Sequence, residues 1–197
     1  MEERYQKIVE GILRRSKTIM DILEILEKYS KENKDFHNYY LAAGCINQTI
    51  LNDFHGFSLD YGIEDYDIVY YDEDTSYEKE DIIIKELEKR LKRMNVSFDI
   101  KNQKRVPIWY KEKFKEEKKE YTSVEDAIGR WNSTITCIGV RLDQNKLIFC
   151  TPYGLEDLIN MVIRPVKIDT TQELYEKKAN KWKKKWNRLT IISWENH

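Results

Sequence analysis

The run Gly62-Ile63-Glu64-Asp65-Tyr66-Asp67-Ile68-Val69-Tyr70-Tyr71 constrains the chain more than any other stretch. Ile68, Val69 and the tyrosines favour an extended strand, and in a strand the side chains at i and i+2 share one face. Asp65 and Asp67 therefore stand side by side. Two neighbouring carboxylates repel, and such a pair is stabilised by a cation or by protonation of one partner. A hard divalent ion with oxygen ligands suits them, which points to metal-assisted phosphoryl or nucleotidyl transfer.

The surrounding pattern alternates helix and strand. Apolar residues at helical spacing (Ile8, Ile12, Ile19, Leu23, Leu26) predict an N-terminal helix within residues 1–35. Tyr39 to Ala43 reads as a buried strand ending at Gly44, and Ile46 to Phe54 as the helix that follows. Glu78 to Met94 reads as a helix and Val96 to Ile100 as a strand whose polar face carries Asp99. Further on, Ser123 to Trp131 is a short helix, and 134–142 with 146–151 form a hairpin. A basic helix over 171–190 closes the chain, with Tyr175, Ala179, Trp182 and Trp186 as its apolar stripe and its lysines in water. This order predicts one α/β domain over 1–197: a twisted mixed sheet flanked by helices, mainly on one face, with helices at both ends.

Composition narrows the chemistry. The chain has three cysteines (Cys45, Cys137, Cys150) without metal-ligand spacing and only three histidines. Carboxylates, lysine and arginine must carry any reaction, and the thiols read as reduced and buried. The net charge of −1 argues against a general nucleic-acid binder, but the charge is uneven. Between Asp60 and Asp81 ten acidic residues face Lys79 alone, whereas Gln172 to Arg188 holds seven basic residues against Glu173 and Glu176. No apolar run approaches a membrane span and Met1-Glu2-Glu3-Arg4 lacks a signal-peptide core, so a cytoplasmic location without a membrane partner is expected.

Gly44 at a strand-to-helix turn lets backbone amides approach a phosphate at the helix N-terminus. Asp99 on a neighbouring strand would supply a third carboxylate, and three such groups can hold two Mg²⁺ ions. Arg130 and Arg164 have the planar guanidinium that grips a triphosphate, and equally the geometry to pair with a carboxylate.

With these residues the chain resembles the DNA polymerase β-like nucleotidyltransferase superfamily, and more closely a bacterial branch of it whose substrate is unassigned. The resemblance is carried by Leu41-Ala42-Ala43-Gly44-Cys45-Ile46, Asn52-Asp53-Phe54-His55-Gly56 and Tyr61 to Asp72. It continues through Lys101-Asn102-Gln103, Thr122 to Ala127 with Arg130-Trp131, Thr151 to Leu158, and Val162-Ile163-Arg164-Pro165. It implies transfer of a nucleoside monophosphate from a nucleoside triphosphate to an acceptor, with release of pyrophosphate. Asp65, Asp67 and Asp99 would be the catalytic Mg²⁺ or Mn²⁺ ligands, and Gly44, Cys45, Arg130 and Arg164 would hold the nucleotide. The superfamily turn carries Gly-Gly or Gly-Ser. Taking Gly44 as its first member leaves Cys45 in place of the second, which motivates the alternative of a degenerate nucleotide-binding or nucleic-acid accessory module. The acceptor is not specified, and nucleic acid is admitted as a partner without being favoured.

Overall fold

Ser16 divides the N-terminal helical segment. The computed structural model describes residues 1–115 and 118–196. In it α1 (Glu2–Arg15) and α2 (Lys17–Glu32) replace the single helix expected within 1–35. Ser16 leaves the helical region (φ −80°, ψ 102°) and its hydroxyl accepts a hydrogen bond from the Ile19 amide at 3.3 Å. The apolar periodicity runs on across this break, which is why the pattern alone reads as continuous. A serine whose side chain satisfies an orphan amide can restart a helix in a new direction. Both helices bury their stripes completely, with Val9 and Leu13 in α1 and Ile19, Ile22, Leu23 and Leu26 in α2.

The sheet is built from β1 (Tyr39–Ala42), β2 (Asp65–Tyr70), β3 (Ser97–Asn102), β4 (Gly139–Asp143) and β5 (Lys146–Cys150), in the order β3-β2-β1-β4-β5. β2 and β3 run parallel; the other neighbours are antiparallel. A parallel neighbour needs a crossover, supplied by α4 (Tyr77–Leu91). α3 (Gly44–Phe54) follows β1 directly, and α5 (Val106–Phe114) and α6 (Val124–Ile128) come after β3. The mixed-charge segment 111–120 lies partly outside the described residues.

Strand alternation sorts the core. Tyr39, Leu41, Tyr66, Ile68, Tyr70 and Ile100 join the main cluster under α1 to α4. Tyr40, Ala42 and Val69 point the other way, into a smaller cluster with Val124 and Ile128 of α6. Asp65 and Asp67 share the parity of Val69, so they lie on this second, less covered face.

The C-terminal third departs from expectation in detail. Thr134–Thr136 is a 3-10 turn, and β4 starts only at Gly139. After α7 (Glu156–Ile159), β6 (Val162–Ile163) pairs in parallel with β7 (Thr190–Ile191), a contact no local pattern announces. Between them α8 (Gln172–Lys185) is shorter than the predicted 171–190. Trp182 and Trp186 are packed in the main core, as their i, i+4 spacing predicts. The three cysteines are free and buried. Among the described residues no helix is long and apolar enough to cross a membrane.

Candidate active site

The strand register brings the aspartates together. Asp67 lies opposite Asp99 across the parallel β2–β3 pair and opposite Ala42 across β1–β2. Asp65 is exposed and Asp67 half-buried. Burial, followed by the charges of Asp65 and Asp99, pushes the Asp67 carboxyl up to about 6; Lys178 and Lys101 oppose the rise. Asp99 is ion-paired with Lys101. Hard oxygen donors whose mutual repulsion the lysines only partly offset fit a divalent cation in chemistry. In arrangement the fit is partial: among the described residues no three acidic, His or Cys side chains converge as a metal cluster.

The turn into α3 reads differently from the sequence expectation. Ala43 caps α3 at φ 54°, ψ −126°, a conformation that an L side chain rarely adopts and that favours glycine. The position demanding a glycine-like backbone is thus residue 43. Gly44 meets a separate demand: a Cβ there would lie 2.9 Å from the Gln48 side-chain nitrogen. The pair at the turn is Ala43-Gly44, one residue earlier than the Gly44-Cys45 alignment. Cys45 is fully buried, its thiol donates to the Ala42 carbonyl at 3.2 Å, and burial raises its pKa well above the ordinary thiol range. Its side chain faces the core.

A cleft of about 520 Å³ opens between this turn, the start of β2 and α8. Gly44, Gln48, Asp65 and Asp67 form one wall; Lys178, Lys181 and Lys185 come from α8. These lysines, spaced i, i+3 and i+7, occupy one helix face with Trp182. Lys178 packs over the Trp182 ring at 5.2 Å. Burial lowers its pKa even though Asp67 and Asp65 act to raise it. Lys181 pairs with Glu64 at 3.1 Å, and Lys185 bonds the Gly62 carbonyl between the rings of Tyr61 and Trp186. The expectation that the α8 lysines simply face water fails for Lys178 and Lys185; Lys181 stays exposed in its ion pair with Glu64. Their helix is anchored by Trp186, whose indole N–H donates to Asn52 of α3 at 2.9 Å. Gln48 is nine-tenths buried, and its amide opens into the cleft with no hydrogen-bond partner among the described residues. Sequence reasoning missed Gln48, Lys178, Lys181 and Lys185; the opposed acidic and basic blocks were the signal that could have found the lysines.

A smaller cleft of about 250 Å³ continues past Asp67 and Lys178 to Asp99, Lys101 and Trp131. The two arginines separate. Arg164 is held by Asp157 at 3.0 and 3.2 Å and lines neither cleft. Arg130 is held by Asp126 at 2.8 and 2.7 Å, yet its Nη1 is buried with no hydrogen-bond partner among the described residues, and the residue lines a large adjoining groove. Asn102 is structural: its side chain receives the Asp72 and Lys104 amides and donates to the Asp72 carbonyl.

A family profile described as nucleotidyltransferase matches residues 31–191. The chain belongs to this nucleotidyltransferase family. A solved structure described as an NMR structure that reveals a CCA-adding enzyme head domain superposes with a TM-score of 0.73, at 30% identity, covering 95% of each chain. A structure of a tRNA-processing enzyme complex matches at 16% identity with a TM-score of 0.49, over 85% of this chain and 43% of that one. No curated protein matches the chain. The family and the fold of its 30%-identical neighbour support nucleotidyl transfer as the general chemistry.

Proposed function

We propose that the cleft between β2 and α8 binds a nucleoside triphosphate and transfers its nucleoside monophosphate to an acceptor hydroxyl or phosphate, releasing pyrophosphate. The observation that carries this reading is the opposition, across about 520 Å³, of Asp65 and Asp67 to a row of lysines. Carboxylates alone would repel a triphosphate and lysines alone would merely bind it. Together they fit an anion whose reacting phosphorus must be placed beside carboxylates.

In this reading the phosphates rest against Gly44 and the first turn of α3, where unpaired amides and the helix dipole favour negative charge. Lys178, Lys181 and Lys185 neutralise the β- and γ-phosphates, and the Gln48 amide donates to a phosphate or ribose oxygen. Asp65 and Asp67, with Asp99 rotated away from Lys101, would hold Mg²⁺ or Mn²⁺. Bound there, the ion would offset phosphate charge and acidify the acceptor hydroxyl. Asp67, with its pKa near 6 in the metal-free protein, and Asp99 are the groups placed to take the acceptor proton. Arg164 has no part in this site.

A binding-only reading draws on one observation, the lack of a three-carboxylate cluster among the described residues, with Asp99 tied to Lys101. Thermal shift with each nucleoside triphosphate, with and without Mg²⁺, coupled to a pyrophosphate-release assay, separates the two. A ligand that binds only the native state stabilises it. Failure of every triphosphate to raise the melting temperature sinks both readings. Stabilisation without pyrophosphate release across acceptor classes leaves the binding module.

A further inference from the structure

A groove of about 1000 Å³ is continuous with the aspartate cleft. It shares Lys178, Lys181, Trp182 and Lys184 with that cleft, and Trp131 with the smaller one beside Asp99. Its lining carries six cations (Lys118, Arg130, Lys177, Lys178, Lys181, Lys184) and one carboxylate, Asp169. Three of the cations are already spoken for, Lys181 by Glu64, Arg130 by Asp126 and Lys118 by Asp169. Lys177 and Lys184 have no ion-pair partner among the described residues.

The far end of the groove is built rather than incidental. Arg130 is 9% exposed, two of its nitrogens are fixed by Asp126, and the third, Nη1, is buried with no hydrogen-bond partner among the described residues. A buried guanidinium N–H left unpaired is costly, and an anion would satisfy it. Lys118 lies nearby over the rings of Tyr110 and Tyr121, 3.8 Å from Asp169. Burial lowers its pKa, Arg130 adds to the fall and Asp169 only partly offsets it. Each of these two cations thus has a single carboxylate partner, and the Arg130 Nη1 N–H is left over for a further acceptor. On α8, Lys177, Lys181 and Lys184 follow one helix face over about 10 Å, a span that matches a chain of phosphates better than a single one.

We propose that this groove is the acceptor channel and that it selects an acceptor bearing phosphate groups, with Arg130 and Lys177 gripping phosphate at a distance from the reacting group. The inference rests on the nucleotidyl-transfer reading and names its acceptor class. Trp131, half-buried where the groove meets the Asp99 cleft, offers a ring face for a base or sugar.

The test uses the full chain, wild type and Lys177→Glu/Asn180→Glu, two exposed positions that line the groove and not the nucleotide cleft. Anisotropy of a fluorescein-labelled single-stranded hexaribonucleotide measures groove binding, with glucose 6-phosphate as competitor. Thermal shift with nucleoside triphosphate and Mg²⁺ reports the nucleotide site in parallel. The expected result is hexanucleotide binding that weakens tenfold or more in the double variant and loses part of its salt dependence, with the triphosphate shift retained. Displacement by glucose 6-phosphate would identify a small phosphomonoester as sufficient; resistance to it would identify a polynucleotide chain. Absence of binding by the wild type to either phosphate probe, or equal binding by the variant, overturns the inference and leaves the triphosphate result standing. Hexanucleotide binding with no triphosphate shift overturns the transfer reading, and the acceptor role with it.

Discussion

Replacing Asp67 by asparagine should make the metal-free protein more stable, against the usual trend for a buried-site substitution. The Asp67 carboxyl is raised from 3.8 to about 6 by burial and by the charges of Asp65 and Asp99. A raised carboxyl binds its proton more tightly in the folded state than in the unfolded one. Its contribution to stability is therefore fully present below the unfolded value and is lost as pH rises through the folded value. A rise of that size corresponds to about 3 kcal/mol, the cost of holding Asp67 ionised above pH 6. Asparagine keeps the shape without the charge. At pH 7.5 in a chelator, Asp67→Asn should gain up to about 3 kcal/mol, or about 6–12 °C in melting temperature for a chain of this size. Near pH 4 the gain should vanish, because wild-type Asp67 is then protonated as well. Chemical denaturation of both proteins at pH 4 and 7.5 reads the difference directly. A variant less stable than wild type at pH 7.5, or a gap independent of pH, would refute the account of a carboxyl raised by burial and by its acidic neighbours.

Three further outcomes are expected. Mg²⁺ or Mn²⁺ should bind the wild type and bind Asp65→Asn and Asp67→Asn more weakly, with the fold intact; equal affinities by isothermal titration would remove these residues as ligands. Ala43→Gly should stabilise the protein by about 1 kcal/mol, because release of the positive-φ strain at Ala43 exceeds the entropy glycine adds to the unfolded chain; a loss on urea denaturation would show that the turn tolerates alanine without strain. Trp182→Ala should cost about 3–5 kcal/mol, as loss of a core indole does, whereas neutralising the exposed Lys177 should change stability little; a thermal melt that ranks the two the other way would contradict the packing of α8.

What the sequence by itself determined was set by local periodicity. Alternation along β2 places Asp65 and Asp67 on one face whatever the rest of the chain does, and the i, i+4 spacing turns Trp182 and Trp186 inward together. The polar face of β3, with Asp99, follows from the same two-residue period. Tertiary structure alone decided the rest. The register that sets Asp67 against Asp99 depends on how far the crossover through α4 carries the chain. The turn conformation shows that residue 43, not 44, bears the strained backbone, and dihedral angles are not spelled by residue type when alanine stands where glycine is favoured. Ser16 could continue a helix or start one, and packing chose the second. Lys178 stands more than a hundred residues beyond Asp67, and its place in the cleft depends on Trp186 finding Asn52. On an isolated helix those lysines are a solvated stripe; docking α8 beside β2 brings three of them to the aspartate cleft, with Lys178 the one whose charge acts on Asp65 and Asp67, because contacts so distant in sequence exist only after the chain has folded.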